Sequence, residues 1–573
     1  MAHNDRPWDV ETDLLVVGTG AAGMTAALVG ALEGLDVVLC EKSDMVGGTT
    51  ATSAGTVWIP GNRQGRLAGT PDTVEAARTY LAAMLGEHAA DRRVDMFLRA
   101  GWVVLDDLEQ KTSVRFAAPP IHPDYKQLPG AAIGGRALTA MPFEGRKLGP
   151  DFARVRPPRR EFMVLGGMMV SKADIPALLA PFRSWSSLRH VLGLLARHAM
   201  DRISHTRGTR LVMGNALVAR LLDSLRRVAV DLRFETELRD LVCEGDHIMG
   251  AVLSSPGGEL RIRARKGVVL ASGGIGWSRE LRERLFPEPA RRLSLAPTSN
   301  TGDGILAAER VSAAIARDLD SPALWMPSSV MTQADGHVSI FPHIMLDRAK
   351  PGLLAVNRSG RRFVNEADSY HDFVAAMLRS NAPSSSPAFL ICDATFIKDF
   401  GIGLVRPGTR NLKAFVQASY LVEAETIEQL ARRIGVDAGQ LAATVEQYNR
   451  YADSGIDEDF GRGSSALNRF NGDPETKPNP CLRRIGQGRY YAVAVWPSDL
   501  ASSCGLLTDE RARVLSRNGT VLPGLYAVGT DASSIFRGMY PGPGTMIGPA
   551  MVFAWCAALD CAGTLADRMR LSE

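Results

Sequence analysis

Hydrophobic positions come in short runs separated by glycine-rich breaks. Residues 13–17 form a continuous apolar run of strand length, and 21–32 read as an alanine-rich helix. Residues 35–40 make a second apolar strand that stops at Glu41. Together they predict a strand–helix–strand unit of about 30 residues. Amphipathic spacing predicts helices over 73–85 and 93–109, and a further helix over 216–227. Short strands are expected at 228–234, 238–243, 248–253 and 268–271, and a helix over 302–311. A strand at 388–392 and a helix at 437–453 follow, in a region with its own alternating pattern. The last apolar strand is 525–528, followed by a helix over 545–565. The Pro- and Gly-rich stretch 117–160 reads as loop, and no internal repeat is evident.

Composition narrows the class. The chain has 573 residues, 45% hydrophobic and 22% charged, which excludes a disordered, collagen-like or disulfide-scaffold protein. A formal net charge of +4 gives no bulk-charge reason to expect nucleic-acid binding. Seven cysteines, an odd number without C-x-x-C spacing, read as free thiols of a reducing cytoplasm. The N-terminal residues lack the pattern of a signal peptide. Two uncharged stretches, 14–32 and 540–559, are broken by glycines or prolines and do not read as membrane spans. Residues 184–210 carry five arginines and three histidines against one acid, Asp201. That segment is expected to be a solvated helix face, with peripheral membrane contact as the alternative.

Glycine, at 56 residues, is in excess, and its placement matters. Gly18-x-Gly20-x-x-Gly23 falls between a predicted strand and a predicted helix. In that setting the first glycine permits the tight turn, the second admits a pyrophosphate, and the third lets helix pack on strand. The helix N-terminus then faces the phosphates, and Glu41 stands where an acid bonds a ribose 2′-hydroxyl. This suits NAD or FAD. A second run of small residues, 47–55, would let the chain pass close to a flat ring system, and similar runs recur at 271–274, 301–304 and 527–531.

Tyr540-Pro541-Gly542-Pro543-Gly544 is stiffened by two prolines. Its Tyr540 hydroxyl and Gly544 N–H are two donors able to hold a ketone oxygen as it gains enolate charge. A rigid turn that caps the last helix is the alternative reading. No metal-ligand spacing is present.

From about residue 13 to about 563, more weakly over 150–205, the chain resembles the flavoprotein family of fumarate reductase and 3-ketosteroid dehydrogenase. The resemblance implies an α/β fold: a Rossmann-like FAD-binding domain, 1–325 with 500–573, and an inserted α+β catalytic domain, 326–499. It implies cofactor contacts at Gly18, Gly20, Ala21, Ala22, Gly23, Glu41, Lys42, Gly48, Thr49, Thr50 and Ser53, and later at Gly274, Asp303, Gly529, Asp531 and Ile547. Thr49 and Thr50 stand where some relatives carry a flavin-linked histidine, so non-covalent FAD is implied. Tyr-Pro-Gly-Pro-Gly resembles the ketosteroid segment whose tyrosine and second glycine bind the 3-keto oxygen. Tyr370 matches the base and Tyr125 its assistant. The implied reaction is a carbon 1–2 desaturation of a 3-ketosteroid-like ketone: Tyr370 takes the α-proton and the β-hydride goes to flavin N5. His371 and Arg348 are sequence neighbours that could tune Tyr370. The rivals are a fumarate- or enone-reductase-like enzyme, with Arg348 as proton donor and His343 as substrate ligand, a 3-ketosteroid 4-dehydrogenase, and a non-enzymatic flavin protein. The electron acceptor is not named by the sequence.

Overall fold

The computed structural model describes residues 6–333, 335–380 and 387–570. Two large sheets organise it.

In the first sheet four strands run parallel: Val230–Arg233, Val37–Cys40, Val10–Val17 and Gly258–Leu270. Val521–Ala527 extends this parallel set by pairing with the second half of Gly258–Leu270. The first half of Gly258–Leu270 turns instead into an antiparallel meander with His247–Ser255 and Glu237–Glu244. The register has a direct consequence. Cys40, Val17, Leu270 and Ala527 lie side by side in one row, so four strands end together. The segments that leave that row are the glycine turn at 18–23, Glu41, the 271–274 run and the 528–531 run. Ligands of open parallel sheets bind beyond such carboxyl ends.

Helices Ala21–Leu32, Met213–Leu225 and Ile547–Ala562 cover one face of this sheet in a continuous apolar core. The uncharged stretches at 14–32 and 540–559 are therefore a strand–turn–helix and a core helix with its preceding loop. Among the described residues no helix is long and apolar enough to cross a membrane.

The second sheet is antiparallel and lies between Ala323 and Ser502. Its centre is Tyr490–Ser502: residues 490–495 pair with Ala388–Asp393 on one edge, residues 490–492 pair with Val422–Ala424 on the opposite edge, and residues 496–502 pair with Ala323–Thr332. Val338–Pro342 and Leu353–Val356 complete it. Neither Ala323–Thr332 nor Tyr490–Ser502 is anticipated by the local pattern. Each carries a proline, and Pro327 faces Pro497 in register. Proline inside a run argues against a central strand, so the sequence signal is suppressed where the strands are longest.

The 117–160 stretch departs from the loop expectation in its second half. Ala137–Ala140 is a strand between Thr56–Trp58 and Phe116–Ala117, and Gly145–Arg154 is 3-10 helical. The basic segment forms the helix Trp185–Ser204.

Candidate active site

The cofactor half is built from backbone. Only glycine fits at position 23, where a Cβ would stand 1.8 Å from the Gly18 carbonyl oxygen. A Cβ on Gly20, by contrast, would meet nothing nearer than Thr50 Oγ1 at 3.7 Å, so a phosphate can come close there. Helix Ala21–Leu32 starts without a side-chain cap and without an acid in its first turn. Its partial positive charge is left for an anion. The Ala21 N–H donates to Thr50 Oγ1 at 3.0 Å, which ties the second small-residue run to the first. Ala22 lies at the edge of the same turn, 3.2 Å from where a Cβ on Gly529 would be. These features fit a dinucleotide.

The acids of this half already have partners. Glu41 accepts from the Thr19 hydroxyl and, through Oε1, from Ser43 N–H and Oγ, both at 2.9 Å. Asp531 is fully buried and accepts from Ser272 N–H at 2.6 Å and Gly274 N–H at 2.9 Å, clamping two of the strand-end runs together. Asp303 holds Lys42 at 2.9 Å, and Lys42 also bonds Thr301 and Glu237. Lys42 thus ties the end of the strand Val37–Cys40 to the 301–304 run. Thr49 Oγ1 receives a bond from Asn300 at 3.3 Å, and the Ser53 hydroxyl is spent on the Thr50 carbonyl. Gly48 has open space on its Cβ side. Ile547 opens the helix Ile547–Ala562, which like Ala21–Leu32 lacks a side-chain cap and acids in its first turn.

The ketone half brings three distant residues together. The Tyr370 hydroxyl lies 2.7 Å from the Tyr540 hydroxyl and 3.1 Å from that of Tyr125. The rings meet edge to face, with centroids 5.0–5.8 Å apart. Around them are Leu295, Leu324, Met326 and Leu467. Burial pushes all three phenols well above the usual tyrosine range. Nearby Arg348 opposes that shift at Tyr370 and Tyr125. His371 supplies no charge here: burial pulls its pKa down to about 4, and its Nδ1 accepts the Trp325 N–H at 3.3 Å.

Several contacts fix this geometry. The Pro541 carbonyl receives both Tyr125 N–H at 2.9 Å and the Tyr80 hydroxyl at 2.7 Å. Lys126 pairs with Asp372 at 2.6 Å, linking the Tyr125 loop to the Tyr370 helix, Tyr370–Ser380. Glu366, before that helix, is fully buried between Arg362 and Arg462. Asp124 accepts from Trp58 Nε1 and pairs with Arg136, and burial nevertheless raises its pKa to about 6. Gly544 has φ +97°, and a Cβ there would stand 2.7 Å from the Thr56 and Val57 backbone. The Pro-Gly loop is thereby laid against strand Thr56–Trp58, which follows the small-residue run. The Gly544 N–H finds no acceptor among the described residues.

The reductase candidates are differently placed. His343 is wholly buried, with Nδ1 on Asp347 at 2.6 Å and Nε2 on Ser329 at 2.7 Å. Arg348 is wholly buried and donates to the His343 and Glu366 carbonyls. Both are committed to holding the protein together. Sequence reasoning missed the Tyr80–Pro541 bond and the Lys126–Asp372 pair, because their partners are 461 and 246 positions apart.

Comparison with known proteins bears on cofactor and chemistry. A family model described as FAD binding domain matches residues 13–547. The chain is 38% identical over 560 residues to a 4-oxocyclohex-2-ene-1-carboxylate 5-dehydrogenase of Sinomonas cyclohexanicum, covering 96% of this chain and 94% of that one. It is 36% identical over 570 residues to a 3-oxosteroid 1-dehydrogenase of Mycolicibacterium smegmatis, covering 97% and 98%. The fold matches the crystal structure of 3-ketosteroid Δ1-dehydrogenase from Sterolibacterium denitrificans in complex with 1,4-androstadiene-3,17-dione, at TM-score 0.90 and 35% identity, over 97% of this chain and 100% of that one. With a parallel nucleotide-binding sheet, an antiparallel second sheet and these likenesses, the protein is a FAD-dependent oxidoreductase acting on CH–CH bonds, and it belongs to the flavoprotein family of the 3-ketosteroid dehydrogenases and fumarate reductases.

Proposed function

We propose that the enzyme desaturates the bond next to a ring ketone, as in carbon 1–2 dehydrogenation of a 3-ketosteroid or the matching step on a 4-oxocyclohexane ring. The observation that carries this reading is the hydroxyl chain Tyr125–Tyr370–Tyr540, with the Gly544 N–H, four residues after Tyr540, without an acceptor among the described residues. Tyr540 and Gly544 hold the ketone oxygen, which acidifies the α-carbon. Tyr370 takes the α-proton, and Tyr125 relays it away. A phenol raised by burial is a strong base once ionised, and Arg348 supplies the charge that makes ionisation less costly. Apolar walls keep water from the developing enolate. When bound, FAD supplies the hydride acceptor.

The cofactor residues proposed from sequence keep their roles here. Thr49 and Thr50 offer hydroxyls rather than an imidazole, which supports non-covalent binding. The substrate is taken to lie between a cofactor unit, 1–325 with 500–573, and an inserted unit, 326–499. Committing Arg348 and His343 to internal bonds disfavours the reductase alternative.

Anaerobic mixing of the FAD-loaded enzyme with saturated ring ketones tests the reading. Bleaching of the flavin and appearance of an enone absorbance are expected; no bleaching with any ring ketone would end it. Helix Trp185–Ser204 exposes Trp185, Leu192, Met200 and Ile203 beside Arg189 and Arg202. That combination supports contact with an anionic membrane surface. Sedimentation with anionic vesicles is expected to carry the protein down, and neutral vesicles are not.

A further inference from the structure

Next to the apolar cluster around the tyrosines, polar side chains appear. Helix Ala466–Asn471 places Leu467 in the apolar wall around the phenols. Asn471 lies one turn further on the same face, about 6 Å along the axis. There Lys172 lays its ammonium 3.5 Å from the centre of the Phe470 ring and 3.5 Å from Asn471 Oδ1. No carboxylate among the described residues pairs with it. Its charged neighbour is another cation, Lys350, which donates to the Gly472 carbonyl at 2.7 Å.

His122 also packs on Phe470, with ring centroids 6.2 Å apart, and lies within electrostatic reach of Lys172. It precedes Tyr125 by three residues on the same segment. Its Nδ1 is buried and has no hydrogen-bond partner. A buried polar atom left unpaired is costly, and so is a half-desolvated ammonium without a counterion. Burial and Lys350 together hold the Lys172 pKa down to about 8, the mark of a cation short of compensation. Two other cations near this site are matched by carboxylates: Arg136 by Asp72 and Asp124, and Lys126 by Asp372.

We propose that the substrate carries a carboxylate on the side of the ring away from the ketone, and that Lys172, with His122 Nδ1 as second contact, receives it. This rests on the ring-ketone reading above and narrows it. A neutral steroid would offer the ammonium no carboxylate partner. A ring keto acid would fill both polar positions while its ketone reaches Tyr540. Charge-assisted bonds of this kind also fix orientation, which selects the α-carbon presented to Tyr370.

The test compares 4-oxocyclohexanecarboxylate with its methyl ester in anaerobic flavin reduction by the holoenzyme, wild type and two variants. Wild type is expected to favour the acid in KM. Lys172→Met is expected to raise KM for the acid by about tenfold to a hundredfold and to leave the ester unchanged. Lys172→Arg is expected to keep the preference for the acid. FAD content, read from the visible spectrum, should be equal in all three, because Lys172 is exposed and outside the cofactor residues. If Lys172→Met leaves the acid-to-ester ratio unchanged, or if wild type turns over neutral 3-ketosteroids and neither small ketone, the subsite is wrong while the ring-ketone reading stands. If no ring ketone bleaches the flavin, both fall.

Discussion

The cofactor half and the ketone half of the site solve opposite problems. In the first, the acids are paired inside the protein: Glu41 with Thr19 and Ser43, Asp531 with Ser272 and Gly274, Asp303 with Lys42. Its shape is set by backbone, through positions where a side chain cannot fit. In the second, the phenols have mainly each other, and the Gly544 N–H has no acceptor among the described residues. A frame that must hold a large rigid cofactor benefits from being satisfied beforehand. A group that must stabilise charge during a reaction has to keep its bonding capacity for that moment.

This contrast can be broken by exchanging the consequences. Tyr540→Phe should lower turnover by about 10²–10³-fold while the visible spectrum shows FAD still bound; a similar loss of FAD would erase the distinction between the halves. Asp531→Ala should do the reverse. It strips two buried N–H groups of their acceptor, at about 2–4 kcal/mol, and should be seen as a lower melting temperature with weaker FAD retention. Tyr125→Phe removes a relay and not the primary donor or base, so a drop nearer tenfold is expected in single-turnover flavin reduction. The rate of that step should climb with pH into the alkaline range, because burial raises the phenols and only the ionised base takes the proton.

The smallest effect concerns His371. Its pKa is ordinarily near 6.5 and burial lowers it to about 4 in the folded state. Between those values the unfolded chain binds the extra proton, so the contribution is complete above about pH 6.5 and is lost as pH falls towards 4. Melting temperatures of wild type and His371→Gln should converge over that window.

What the chain discloses locally follows the same division. Helix Ala21–Leu32 and the turn before it are legible because their constraints, a glycine turn and an apolar run, are contiguous. The lower half of Gly258–Leu270 is hidden because Arg261, Arg263 and Arg265 alternate with the apolar positions and mask the run. Tyr490–Ser502 is hidden by Pro497 and the buried Asp499, which pairs with Arg282 at 2.5 Å. The roles of Tyr370, Tyr540 and Tyr125 come from resemblance to a family, since a lone tyrosine has no spacing to read. Lys172 has no local signal at all: Phe470 and Asn471 reach it from about 300 residues away.

Val521–Ala527 beside Gly258–Leu270, and Ile547–Ala562 against the first helix, also set a timetable. A ribosome adding about 5–20 residues per second needs roughly half a minute to two minutes for a chain of this length. Through most of that time the helix Ala21–Leu32 is outside the tunnel with an uncovered apolar side, and neither Gly529 nor Tyr540 exists. The nascent protein therefore waits with that side uncovered until 521–562 has been made, and it acquires cofactor site and reaction site almost together.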